Sequence, residues 1–140
     1  MKKIIHVVDG IIHYHGGVVL VDRKKEPFGL ALPGGKLKSG ETLEEAIARE
    51  VREETNLKIR GLRQFKTYSD PNRDPRFRAI STTFIANGYG KLGTGSDAKE
   101  TWIFGLEDID LIKEQFAFDH YKILSDYRNL YFQEMRERMR

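Results

Sequence analysis

The stretch that decides the reading is GKLKSGETLEEAIAREVREETNL, residues 35–57. Its second half predicts a helix over Leu43–Thr55. Thr42 offers a side-chain oxygen to the first free N–H groups, and Glu45, three residues on, completes a capping box. Asn56 tolerates a positive φ and supplies the stop. Leu43, Ala46, Ile47 and Val51 form the apolar stripe of this helix. Advancing about 100° per residue places Glu54 at the stripe's centre, Glu50 about 40° away and Glu53 on its flank. Glu44, Glu45 and Arg52 point elsewhere. Three carboxylates on or near the buried side repel one another. They also lie toward the helix C-terminus, where the macrodipole disfavours each anion by about 0.3–1 kcal/mol. Two readings stay open. Acidic runs on helices are commonly solvated faces, here with Arg49 or Arg52 as neutralising partners. Alternatively, protonation or a bound cation relieves the repulsion, and for an oxygen-only cluster the expected cation is Mg²⁺ or Mn²⁺.

Outward from this helix, residues 3–9 and 18–22 read as strands rich in β-branched residues, with His15-Gly16-Gly17 as turn punctuation. Residues 28–32 are short and apolar, and Pro33-Gly34-Gly35 breaks the run. Residues 57–68 and 77–86 read as strands flanking the polar loop 69–76. The glycine-rich stretch 88–95 is a loop or hairpin end, 101–106 a further strand and 119–135 a final helix. The expected fold class is α/β (α+β): a sandwich of helices on a mixed β-sheet, forming a single domain over residues 1–140.

The chain has 140 residues, with 24 Lys+Arg against 21 Asp+Glu and no cysteine. Disulfides, thiolate metal sites and cysteine nucleophiles are therefore excluded. No run approaches the ~20 apolar residues of a membrane span. The N-terminal apolar run meets Asp9 too soon for a signal peptide, so the expectation is a cytoplasmic protein without membrane partners. Charge is segregated along the chain. From Glu41 to Glu54 six acids face two bases, 2 − 6 = −4, and from Arg60 to Arg78 six bases face two acids, 6 − 2 = +4. Nucleic-acid binding asks for a one-sided basic surface, and no nucleic-acid partner is expected. Adjacent acidic and basic blocks suit a small anionic ligand bridged by metal.

Spacing sharpens this. Gly35, five residues, Glu41, seven residues, then Arg49-Glu50-Val51-Arg52-Glu53-Glu54-Thr55-Asn56-Leu57 resembles the Nudix box. A chance match is on the order of 10⁻⁸ per start position at ordinary residue frequencies. The one departure is Asn56, where that family usually has Gly. The resemblance implies a Nudix-type α/β/α sandwich. It also implies Mg²⁺ (or Mn²⁺) held by Glu50, Glu53, Glu54 and the Gly35 carbonyl, with Arg49 orienting the carboxylates and Glu41 bracing Arg49. The general base is left among Glu53, Glu54, Asp97 and Glu100.

The segment from Tyr68 to Arg76, with Pro71 fifteen residues past Asn56, is similar to that of ADP-ribose pyrophosphatase-type members. Phe118-Asp119-His120 resembles them too. The implied activity is Mg²⁺-dependent hydrolysis of a nucleoside diphosphate derivative, ADP-ribose giving AMP and ribose 5-phosphate. Alternatives are a MutT-like nucleoside triphosphate pyrophosphohydrolase releasing pyrophosphate, or a non-catalytic nucleotide-binding module. The implied partner is a small-molecule nucleotide. Arg73 and Arg76 are candidates to grip its phosphates, on a loop stiffened by Pro71, and Tyr68, Phe77 or Phe28 to stack on its base. The rival reading is a rigid loop whose arginines pair with Asp70 and Asp74. His120 reads as a helix-start or core residue. Tyr121, Tyr127, Tyr131 and Phe132 suit either a homodimer interface or a cover for the sheet.

Overall fold

A computed structural model describes residues 3–93 and 100–140. The elements follow one another as β1 (Ile4–Tyr14), β2 (Gly17–Arg23), β3 (Gly29–Ala31), β4 (Gly34–Lys36), α1 (Leu43–Thr55), β5 (Lys58–Tyr68), β6 (Arg78–Tyr89) and β7 (Thr101–Phe104). A 3-10 segment (Leu106–Gln115) and α2 (His120–Arg138) complete the chain. The spine of the sheet is β3-β2-β1-β6-β5, with β4 added to β1 and β7 to β2. The sheet is mixed: β1 and β6 run parallel from Ile4↔Arg78 to His13↔Asn87, while the other pairs are antiparallel.

Strand β1 is central and covered on both faces, so Val8 through Ile12 are all buried. Side chains alternate across the sheet. Ile11, Val18, Leu20 and Ile85 enter a core with the 3-10 segment and α2, joined by Leu106, Ile109, Ile123 and Leu124. Ile12, Val19 and Phe84 enter a second core with Ala46, Ile47 and Val51 of α1. Burying each such aliphatic side chain is worth about 1.5–3 kcal/mol. The result is the expected α/β/α sandwich.

Helix α1 starts and stops where the sequence places it. Thr42 accepts from the Glu45 N–H at 3.1 Å, and Glu45 accepts from the Thr42 N–H at 2.9 Å. Asn56 adopts φ 67°, and its N–H closes on the Arg52 carbonyl. Two strands run longer than their patterns: β1 passes Gly10 to Tyr14, and β6 passes Ala86 to Tyr89. The intended turn does form, with His15 and Gly16 both at positive φ. The Pro33-Gly34-Gly35 break hides the short strand β4, whose Gly34 pairs with Asp9. The 3-10 segment was not expected. Tyr127 is buried, and Tyr121, Tyr131 and Phe132 pack against the same core. Among the described residues no helix is long and apolar enough to cross a membrane.

Candidate active site

Helix α1 lays its acidic end against β4. Arg49 is the hub: its guanidinium binds both oxygens of Glu41, Nη1 reaches Glu50 at 2.8 Å and Glu53 at 3.3 Å, and Nη2 donates to the Lys36 carbonyl at 3.1 Å. This fork holds the Glu41 carboxyl down at about pKa 2. Burial lifts that of Glu50; the Arg49 hydrogen bond opposes the shift, while Glu54 and Glu53 reinforce it. Glu54 is 8% exposed and accepts the Gly34 N–H at 2.8 Å. Glu53 is the open member, its side chain 43% exposed. The wheel's ordering of the three acids is the one observed.

The carboxylates engage Arg49 and the Gly34 backbone. Among the described residues, no three acid or histidine side chains converge into a ready metal cage. The donor set still suits a hard cation. Glu41, Glu50, Glu53 and Glu54 offer oxygen only. At Gly35 a Cβ would stand 2.6 Å from the Glu50 carboxylate, filling the gap between that side chain and the backbone.

A narrow cleft of about 60 Å³ opens beside this cluster, with Gly35, Glu54, Asp9, Arg76 and Phe118 in its walls. The loop between β5 and β6 contributes its two arginines differently. Arg73 is buried and donates to both oxygens of Asp119 at 3.0 and 2.7 Å. Arg76 is exposed, held by Asp74 at 3.1 and 2.9 Å, with its guanidinium 4.7 Å from the Phe77 ring centroid and 5.2 Å from that of Phe118. Pro71 is exposed on the same loop. Tyr68 sits in the α2 core with its hydroxyl on Asp126, and Phe28 is 64% exposed at the β2–β3 tip. Glu100 pairs with Lys24 at 3.1 Å on the surface. Asp97 lies outside the described residues.

A buried polar group beneath the cleft escaped the sequence reading. Asp9 accepts from Ser81 at 2.6 Å and lies 3.9 Å from Arg73 and 3.6 Å from His120. The imidazole Nδ1 of His120 accepts the Leu32 N–H at 2.9 Å. Together with the Gly10 N–H on the Pro33 carbonyl at 2.8 Å, these bonds tie down the chain entering β4. The available signal was a lone acid, Asp9, within an apolar strand.

Burial pushes Asp9 up to about 7. Burial, reinforced by Arg73 and Arg23, pushes His120 down to about 3. The folded chain therefore refuses the proton that an unfolded His accepts below about pH 6.5. His120 contributes stability that is full above that pH and erodes as pH falls toward 3. Asp9 has the opposite sign: its contribution is full below its ordinary 3.8 and is lost as pH rises through about 7. NMR of the His120 ring should show no titration between pH 8 and 5. A midpoint near 6.5 would mean that the imidazole is neither buried nor held as an acceptor.

Comparison with known proteins agrees with this geometry. An ADP-ribose pyrophosphatase of Methanocaldococcus jannaschii is 46% identical over 125 residues, covering 86% of this chain and 70% of that protein. A bifunctional NMN adenylyltransferase/ADP ribose pyrophosphatase of Francisella tularensis, solved with AMP and a Mn ion, superposes with a TM-score of 0.77 at 29% identity. It covers 89% of this chain, which spans only 41% of that protein. The NUDIX domain of Shewanella oneidensis NrtR shares the fold, with a TM-score of 0.79 at 24% identity over 94% of this chain and 90% of that one. The family model for the NUDIX domain matches residues 5–127, and with the box on α1 the chain belongs to that family.

Proposed function

We propose that the chain hydrolyses ADP-ribose to AMP and ribose 5-phosphate with a divalent cation, Mg²⁺ or Mn²⁺. The observation that carries the reading is the 46% identity with a protein named for this activity. The cleft supports it by placing a cation-suited acid cluster beside a preorganised arginine. Nudix hydrolases use divalent metal ions, and the Francisella relative contains manganese. Here Glu50, Glu53, Glu54 and the Gly35 carbonyl would hold the cation. When bound, such an ion neutralises charge on the diphosphate oxygens and lowers the pKa of the attacking water.

The chain's own groups do the rest. Arg49 keeps Glu50 and Glu53 on one side of α1 through its shared Nη1. Glu41 fixes the angle of that guanidinium. Glu54 is engaged by the Gly34 N–H, whereas Glu53 faces solvent, which favours Glu53 for taking the water proton. Oxygen attack on phosphorus then breaks the phosphoanhydride P–O bond and frees the two monophosphates. Arg76, braced by Asp74, would bind a phosphate oxygen.

A substrate panel with Mg²⁺ tests the reading, scored by product identity. ADP-ribose should yield AMP at rates well above those for any dNTP. An inert ADP-ribose together with dNTP turnover to pyrophosphate would favour the triphosphate reading and end this one.

A further inference from the structure

A second cavity, of about 750 Å³, lies at the end of the sheet where β1 and β6 begin. Its walls include Lys3, Asp74, Arg76, Phe77 and Arg78. The parallel register sets Ile4 opposite Arg78, so Lys3 and Arg78 arrive at the same end of the sheet. The charges in the wall do not balance. Asp74 is taken up by Arg76 through two hydrogen bonds. Phe77 carries two cations at its ring, Lys36 at 4.8 Å and Arg76 at 4.7 Å from the centroid. Among the described residues, Arg78 has a buried Nη1 with no hydrogen-bond partner, a costly state for a charged donor.

An excess of guanidinium and ammonium donors in the wall asks for an anion with several acceptor oxygens. A phosphate monoester supplies them: its oxygens match a guanidinium fork while an ammonium adds a point charge. The cavity adjoins the catalytic cleft, since Asp74 and Arg76 line both. We infer that this cavity is a phosphate-binding subsite, through which the enzyme recognises nucleoside diphosphate derivatives bearing a further phosphate monoester. The inference rests on the reading of the cleft as the diphosphate site. It adds Lys3 and Arg78 as specificity-determining residues.

The test compares ADP-ribose with two analogues carrying one extra phosphate, on the 2′-hydroxyl of the adenosine or on the 1″-hydroxyl of the distal ribose. Affinities are measured by calorimetry in EDTA, so that turnover does not consume the ligand, and hydrolysis is assayed separately with Mg²⁺. One analogue should bind at least ~10-fold more tightly than ADP-ribose. That preference should shrink toward unity in Arg78→Gln and in Lys3→Gln, and in high salt. Because a ratio is read on one preparation, partial unfolding of a variant does not disturb it. Equal affinities for all three ligands, or a preference untouched by both variants, would overturn the subsite. If the preference is present but ADP-ribose is not hydrolysed, the subsite stands and the proposed reaction falls.

Discussion

Glu53→Gln should lower kcat for ADP-ribose at least ~100-fold while changing KM far less, the loss typical of disrupted acid–base or electrostatic catalysis. Glu53 is the carboxylate whose side chain is open to the solvent side of α1, tethered among the described residues by a single 3.3 Å contact with Arg49. The amide keeps the shape and removes both the charge and the basicity. Glu54→Gln should lose as much by another route. Its carbonyl can still accept the Gly34 N–H, so the β4 entry survives while one anionic donor disappears. Steady-state kinetics beside a thermal melt checks both variants, and near-full activity in the pair would reject the assigned roles.

Gly34→Ala should cost about 3 kcal/mol, near the top of the usual range for inserting a group into a filled site, and lower Tm by roughly 10 °C. A Cβ there would lie 2.2 Å from the Val8 carbonyl oxygen and 2.9 Å from the Asp9 Cα, backbone atoms of the central strand that cannot swing aside. Gly35→Ala is the instructive contrast. Its obstacle is the Glu50 carboxylate at 2.6 Å, the end of a flexible side chain. The fold should tolerate that change, and turnover should bear the loss. Gly40→Ala, at φ +86° with open space around it, should cost only about 1–2 kcal/mol of backbone strain. A melt in which Gly34→Ala proves as stable as Gly40→Ala would contradict the packing described for β4.

The site was legible where its geometry is local. Glu50, Glu53, Glu54 and Arg49 share one helix, and a 3.6-residue period with two cap residues fixes their relative directions before any tertiary contact. The Arg49–Glu41 pair spans only eight residues and was legible through the resemblance to the box. Contacts that close over long separations were not legible. Asp9 meets Ser81 across 72 residues, Leu32 meets His120 across 88, and Arg73 meets Asp119 across 46. No periodicity encodes such pairings. Arg73 and Arg76 looked equivalent in the sequence, three residues apart on one loop. Burial and pairing separate them: both line the cleft, but Arg73 is buried on Asp119 while Arg76 is exposed on Asp74. Strand β4 was invisible for a related reason. Gly-Gly-Lys has no strand propensity of its own, and it becomes a strand only because β1 offers an edge from Val7 to Asp9.

Neighbouring residues of β1 supply different cores, Ile11 the α2 side and Ile12 the α1 side. Neither half of the molecule therefore owns a complete interior without that strand, and neither can melt while the other persists. Loss of order should arrive as one event, with fluorescence of Trp102 on β7 and circular dichroism from the helices tracing superimposable denaturation curves.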